Sequence, residues 1–162
     1  MQRLPRLYIL LFRVSLLHIE IKTEVAMDWE FHIPAGTTVF EYIKVGGYCC
    51  TTSGYLLYSD GRVYSVHGGR PEDGCQYVLE GIHKTLLEQV EAFIRGNWDA
   101  IQKLPEQIAD VVYCDGYFQT YKFLSKQCQG EMMQFSEDGK EVLSYVKVIE
   151  DLFRLNAVHG FE

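Results

Sequence analysis

The segment HKTLLEQVEAFIRGN, residues 83–97, places Leu86, Leu87, Val90, Phe93 and Ile94 at a 3.6-residue spacing. That period puts them on one stripe of a helix, with Lys84, Glu88, Gln89, Glu91 and Arg95 turned away. A second stripe runs near the C-terminus. Between about Lys140 and Leu155 it carries Val142, Leu143, Val146, Ile149, Leu152 and Phe153, with Lys147, Glu150 and Asp151 read as solvated. A helix with one apolar stripe has one face to bury. Whatever else the chain forms must supply that surface.

The remaining sequence reads as strands. TTVFEYIKV at 37–45 is rich in β-branched and aromatic residues, and Gly46-Gly47 ends or bends it. GYLLYSDGRVYSVHGG then offers strands near 55–59 and 62–67 around Asp60-Gly61, a dipeptide suited to a two-residue hairpin turn. DVVYCDGYFQTYKFL at 110–124 alternates, with Tyr117, Gln119, Tyr121 and Phe123 on one side, and EMMQFS at 131–136 reads as a further strand. Glu137-Asp138-Gly139 reads as a turn, and WDAIQKL from residue 98 as a short helix capped by Asn97. The order of strands, helix, strands, helix predicts an α+β fold. It is a two-layer antiparallel sheet with two main helices on one face.

Length and composition agree with one globular domain: 162 residues, 48% of them hydrophobic. The domain is expected over residues 27–162. Residues 1–26 are read as an extension that need not belong to the fold, with MDWEFHIPAG as an alternative start at Met27. The run LYILLF at 7–12 resembles the beginning of a signal peptide, but Arg13 interrupts it and no small-x-small site closes it. It is also too short to span a bilayer, so no stable membrane insertion is expected.

Net charge is −7. Residues 1–26 hold Arg3, Arg6, Arg13 and Lys22 against Glu20 and Glu24, a net of +2, so the rest carries −9. So acidic a body repels phosphate backbones, which argues against nucleic-acid binding. It leaves another protein as the expected partner. The five cysteines, 49, 50, 75, 114 and 128, are odd in number and lack a CxxC spacing. They are read as free thiols of a reducing, cytoplasmic compartment.

No catalytic constellation stands out. The five histidines show neither HxxxH nor HxH spacing, and GxSxG, GxGxxG and HExxH are absent, so no metal or cofactor is expected. The stretch VGGYCCTTSG reads as a bulged connection between strands. The enzymatic alternative uses Cys49 or Cys50 as nucleophile with His67 or His83 as base. HGGRPEDGCQ, residues 67–76, reads as an exposed loop in which Arg70 supplies charge to a bound group. The tyrosines weigh more. Tyr48, Tyr55, Tyr117 and Tyr121 crowd the strands, and tyrosine gives large contact area at small entropic loss. They are the expected recognition surface, together with Arg70.

The stretches IKVGGYCCTTSGYLLY, DGRVY, LLEQVEAFI and ADVVYCDGYFQTYKF, followed by a final helix, resemble the emfourin type of small protein over residues 38–155. Such proteins inhibit thermolysin-like metallopeptidases. The resemblance implies an inhibitor-like binding module. It lies in the glycine pair after a first strand and in the order of elements, and it transfers no functional residue.

Overall fold

A computed structural model describes residues 29–30, 32–46, 51–69, 74–108, 117–131 and 137–158. The chain forms β1 (Trp29–Glu30), β2 (Thr38–Gly46), β3 (Thr51–Tyr58), β4 (Arg62–Gly68) and β5 (Cys75–Ile82). Helices α1 (Lys84–Gly96) and α2 (Trp98–Ile101) follow, then β6 (Tyr117–Phe123), β7 (Lys126–Glu131) and α3 (Glu137–Leu155). The seven strands make one sheet in the order β1-β5-β4-β3-β2-β6-β7, every neighbouring pair antiparallel. The fold is α+β, as the striped helices require.

Both helices bury their stripes. Leu86, Val90 and Ile94 of α1 and Val142, Val146, Ile149 and Phe153 of α3 meet Phe40, Tyr55, Leu57, Val63, Tyr121, Phe123 and Cys128 from the sheet. Phe153 stands edge-on to Phe40 and Tyr55, each at 6.2 Å. The two helices touch through Phe93 and Tyr145, and Asn156 Nδ2 donates to Gln89 Oε1 at 2.8 Å.

The opposite sheet face is buried as well. Leu56, Tyr58, Tyr64, Val66, Cys75 and Tyr77 form a second apolar cluster there. The chain between β1 and β2 runs past one end of it. Pro34 O accepts from the Tyr58 hydroxyl at 2.7 Å, Ala35 O from Arg62 Nη2 at 2.7 Å, and Thr37 O from Ser59 N at 2.8 Å. The Arg62 guanidinium lies 4.9 Å from the Tyr58 ring centre and 5.7 Å from that of Tyr64. Burial pushes the Tyr58 hydroxyl up to about 12, with Glu41 adding to the rise.

Several elements differ from expectation. Asp60-Gly61 turns the chain, but the connection has three residues. Gly61 N donates to Tyr58 O at 3.0 Å, and Gly61 alone takes a positive φ, +91°. That is a turn closed by a glycine bulge, and Asp60 Oδ1 also holds Arg62 N. The 67–76 stretch is partly strand, since β4 runs to Gly68 and β5 begins at Cys75. A hairpin at Leu124-Ser125 leads into β7, while Met132–Ser136 lie outside the described residues. The Glu137-Asp138-Gly139 stretch opens α3 instead of preceding it. Asn97 makes no side-chain cap for α2. Its Nδ2 donates back to Phe93 O at 2.8 Å and closes α1.

Candidate functional site

β2 ends and β6 begins at the same end of the sheet, with Gly46 opposite Tyr117 and Val45 opposite Phe118. Alternation sends the two rings to opposite faces. Tyr117 is 38% exposed and Phe118 42%. Gly46 has no side chain and a φ of +128°, so β2 sets no side chain directly opposite Tyr117. Lys44, two residues back, sets its Nζ 4.0 Å from that ring's centre, a cation–π contact. Inward along the strands lie Tyr42 and Tyr121, stacked at 5.3 Å with planes 10° apart. The Tyr121 hydroxyl donates to Gln119 Oε1. Burial raises the Tyr121 hydroxyl well above its ordinary range, Tyr42 and Glu150 adding to it.

Of the tyrosines expected to form a recognition surface, Tyr117 has an exposed ring. Tyr55 and Tyr121 do not: they are 6% and 3% exposed and pack under the helices. The helix stripes need wide apolar rings beneath them, and strand parity puts these two on that side. Tyr48 and Arg70 lie outside the described residues. Phe118 is the exposed aromatic that sequence reading passed over, although its place beside Tyr117 at a strand start could have marked it.

His67 and His83 sit at opposite ends of the β4–β5 ladder, His67 opposite Gln76 and Arg62 opposite Ile82. Five residues of strand separate those rungs, roughly 17 Å. His67 also pairs with Ser53 across β3, at the end where the chain approaches residues 47–50. Cys49 and Cys50 themselves lie outside the described residues. His67 Nε2 is 3.0 Å from Ser65 Oγ, and that hydroxyl donates to Glu80 Oε1. The serine thus stands between imidazole and carboxylate. A nucleophilic triad needs the imidazole in the middle, free to accept the hydroxyl proton. Here Ser65 gives its proton to Glu80 and accepts the imidazole N–H. The His83 ring folds against Gly81, where a Cβ would come 2.9 Å from Nε2. Cys75 and Cys128 are free and buried, and burial raises the Cys128 thiol, the wrong direction for a nucleophile. Among the described residues no cluster of three metal-ligating side chains occurs.

At the far end of β2 and β6 lies a cleft of about 730 Å³. Thr37, Thr38, Arg95, Trp98, Lys122, Leu124 and Ser125 line it. Lys122 Nζ binds Glu41 Oε1 at 2.7 Å, and the Thr38 hydroxyl donates to the same oxygen. Arg95 makes an i,i+4 ion pair to Glu91 at 3.4 Å. These residues come from three separate stretches of chain, so no local motif announced them.

Compared with protein-family models and with curated protein sequences, the chain matches none. Among the described residues no helix is long and apolar enough to cross a membrane.

Proposed function

We propose that this chain is a non-enzymatic protein-binding module whose contact surface is the sheet end built by Tyr117, Phe118 and Lys44. The observation that carries the reading is the pair of large aromatic rings, each more than a third exposed, on adjacent residues at a strand start. Such rings bring area with few rotors, and a cation beside one of them selects a partner that offers a carboxylate next to apolar surface. An inhibitor of thermolysin-like metallopeptidases, as the emfourin resemblance implies, is the narrower form of this reading.

The test is a Tyr117→Ala/Phe118→Ala double variant, with circular dichroism as the control for folding. Wild-type protein should retain a partner in stoichiometric amount, and the double variant should bind it at least about tenfold more weakly, as loss of one hot-spot ring predicts. Equal retention by both proteins, or no stoichiometric partner for wild type, overturns the proposal. Titration against a thermolysin-like peptidase decides the narrower form, since undiminished hydrolysis removes it.

The pairing of Ser53 with His67 supports a second reading, a small cysteine-dependent enzyme using Cys49 or Cys50 with His67. A base beside a thiol depresses its pKa. Alkylation of those thiols should then stay fast down to about pH 6. A rate that rises only near an ordinary thiol pKa of about 8.5 rejects that reading.

A further inference from the structure

We propose that the cleft between the α1–α2 corner and the β6–β7 turn binds a small carboxylate carrying a flat apolar body. Its volume, about 730 Å³, is that of a small-molecule site. Its wall is of mixed chemistry. Trp98 and Leu124 provide apolar surface, Thr37, Thr38 and Ser125 provide hydroxyls, and Arg95 and Lys122 provide two cations. Among the described residues no acidic side chain lines it. The cations are unequal. Lys122 already holds Glu41, with the Thr38 hydroxyl on the same carboxylate oxygen. Arg95 is 65% exposed and, among the described residues, is tied by a single long contact to Glu91 on its own helix. A surface pair of that kind holds its guanidinium weakly, so Arg95 is the group that can turn to a ligand and grip a carboxylate with two N–H groups.

The backbone gives an independent observation. Leu124 takes φ = +54° in the two-residue turn between Phe123 and Lys126. Glycine, asparagine or aspartate fits such a position without strain. Leucine is strained there, yet its side chain is half-buried, packs on the helix-side core and forms a wall of the cleft. Strain in a residue that shapes a cavity fits a wall built for an occupant. The cleft lies six residues along β6 from Tyr117, roughly 20 Å, so it is separate from the aromatic sheet end.

The experiment follows the indole N–H signal of Trp98 in ¹⁵N-labelled protein. The chain has two tryptophans, Trp29 and Trp98, and Trp29→Phe assigns the signals. 2-Naphthoate should shift the Trp98 signal saturably and leave Trp29 in place. The neutral 2-naphthalenemethanol should bind at least about tenfold more weakly, as should naphthoate to Arg95→Gln, since each change removes one charge-assisted contact. Leu124→Gly removes the wall and relieves the backbone strain, so it should weaken naphthoate binding while the relief offsets part of the packing lost from the core. The proposal is overturned if the Trp98 signal does not saturate, if acid and alcohol bind equally, or if Arg95→Gln binds like wild type.

Discussion

Gly54 carries a constraint that no neighbouring residue shares. It lies within β3 opposite Ile43, and a Cβ there would fall 2.1 Å from the backbone oxygen of Tyr42. That oxygen cannot move without moving β2, an interior strand, so Gly54→Ala forces β2 and β3 apart. The expected loss is about 1–3 kcal/mol, the scale of overpacking a tight site, read as a lower urea midpoint. In the sequence this glycine looks like the end of a loop, because VGGYCCTTSG is bounded by glycines. Its true role depends on how closely a partner strand approaches, which one-dimensional sequence does not encode. Tyr58 is a second test at this scale. Its ring is 1% exposed and its hydroxyl donates to Pro34 O. Tyr58→Phe leaves that carbonyl unpaired and should cost about 1–2 kcal/mol in chemical unfolding.

The end of α3 is a Schellman motif. Val158 N donates to Phe153 O and Ala157 N to Arg154 O, each at 3.1 Å, and Val158 packs into the helix-side core near Phe153. Ala157 occupies the left-handed position, φ = +57°, which glycine fills at no steric cost. Ala157→Gly should therefore stabilise the protein by about 1 kcal/mol, raising the melting temperature by a few degrees. The elements themselves were legible in the sequence to different degrees. Both long helices could be read because a 3.6-residue stripe over four or five turns has no rival pattern. β5 was obscured because glycines and charges fill residues 68–74, just before it. β7, KQCQGE, was missed because an edge strand needs apolar residues only on its inner side, and here Cys128 is the one large enough to register. The start of α3 was missed because Glu-Asp-Gly is also good turn chemistry. The candidate cleft was illegible for a different reason: its walls meet only once β2, β6 and the helix corner have been brought together.

Across the whole molecule, apolar burial on both sheet faces makes stability sensitive to charge placed at the margin of the core. Glu150, read from the stripe as solvated, is half-buried. Burial raises its carboxyl above the ordinary value, with Lys147 and Arg154 pulling the other way. The folded protein therefore holds this proton more tightly than the unfolded chain does. The contribution is complete below the unfolded pKa and disappears as pH rises through the raised folded pKa. Glu150→Gln removes that dependence. The variant should be more stable than wild type at pH 7, and the difference should shrink toward zero as pH falls past about 4, measured as urea midpoints across the series. A gap that stays constant with pH would show that Glu150 does not titrate differently in the two states.

The ladder from Gly46–Tyr117 to Phe40–Phe123 joins residues about seventy to eighty positions apart and is the seam between the early hairpins and the last one. The meander of β2, β3, β4 and β5 can pair strand by strand as it emerges from the ribosome. β2, however, keeps a bare edge in the middle of the future sheet until β6 has been synthesised. A nascent chain stopped before residue 123 would present that edge to any passing strand. Pairing β6 onto that edge closes the widest loop in the sheet, and the hazard before it is intermolecular association.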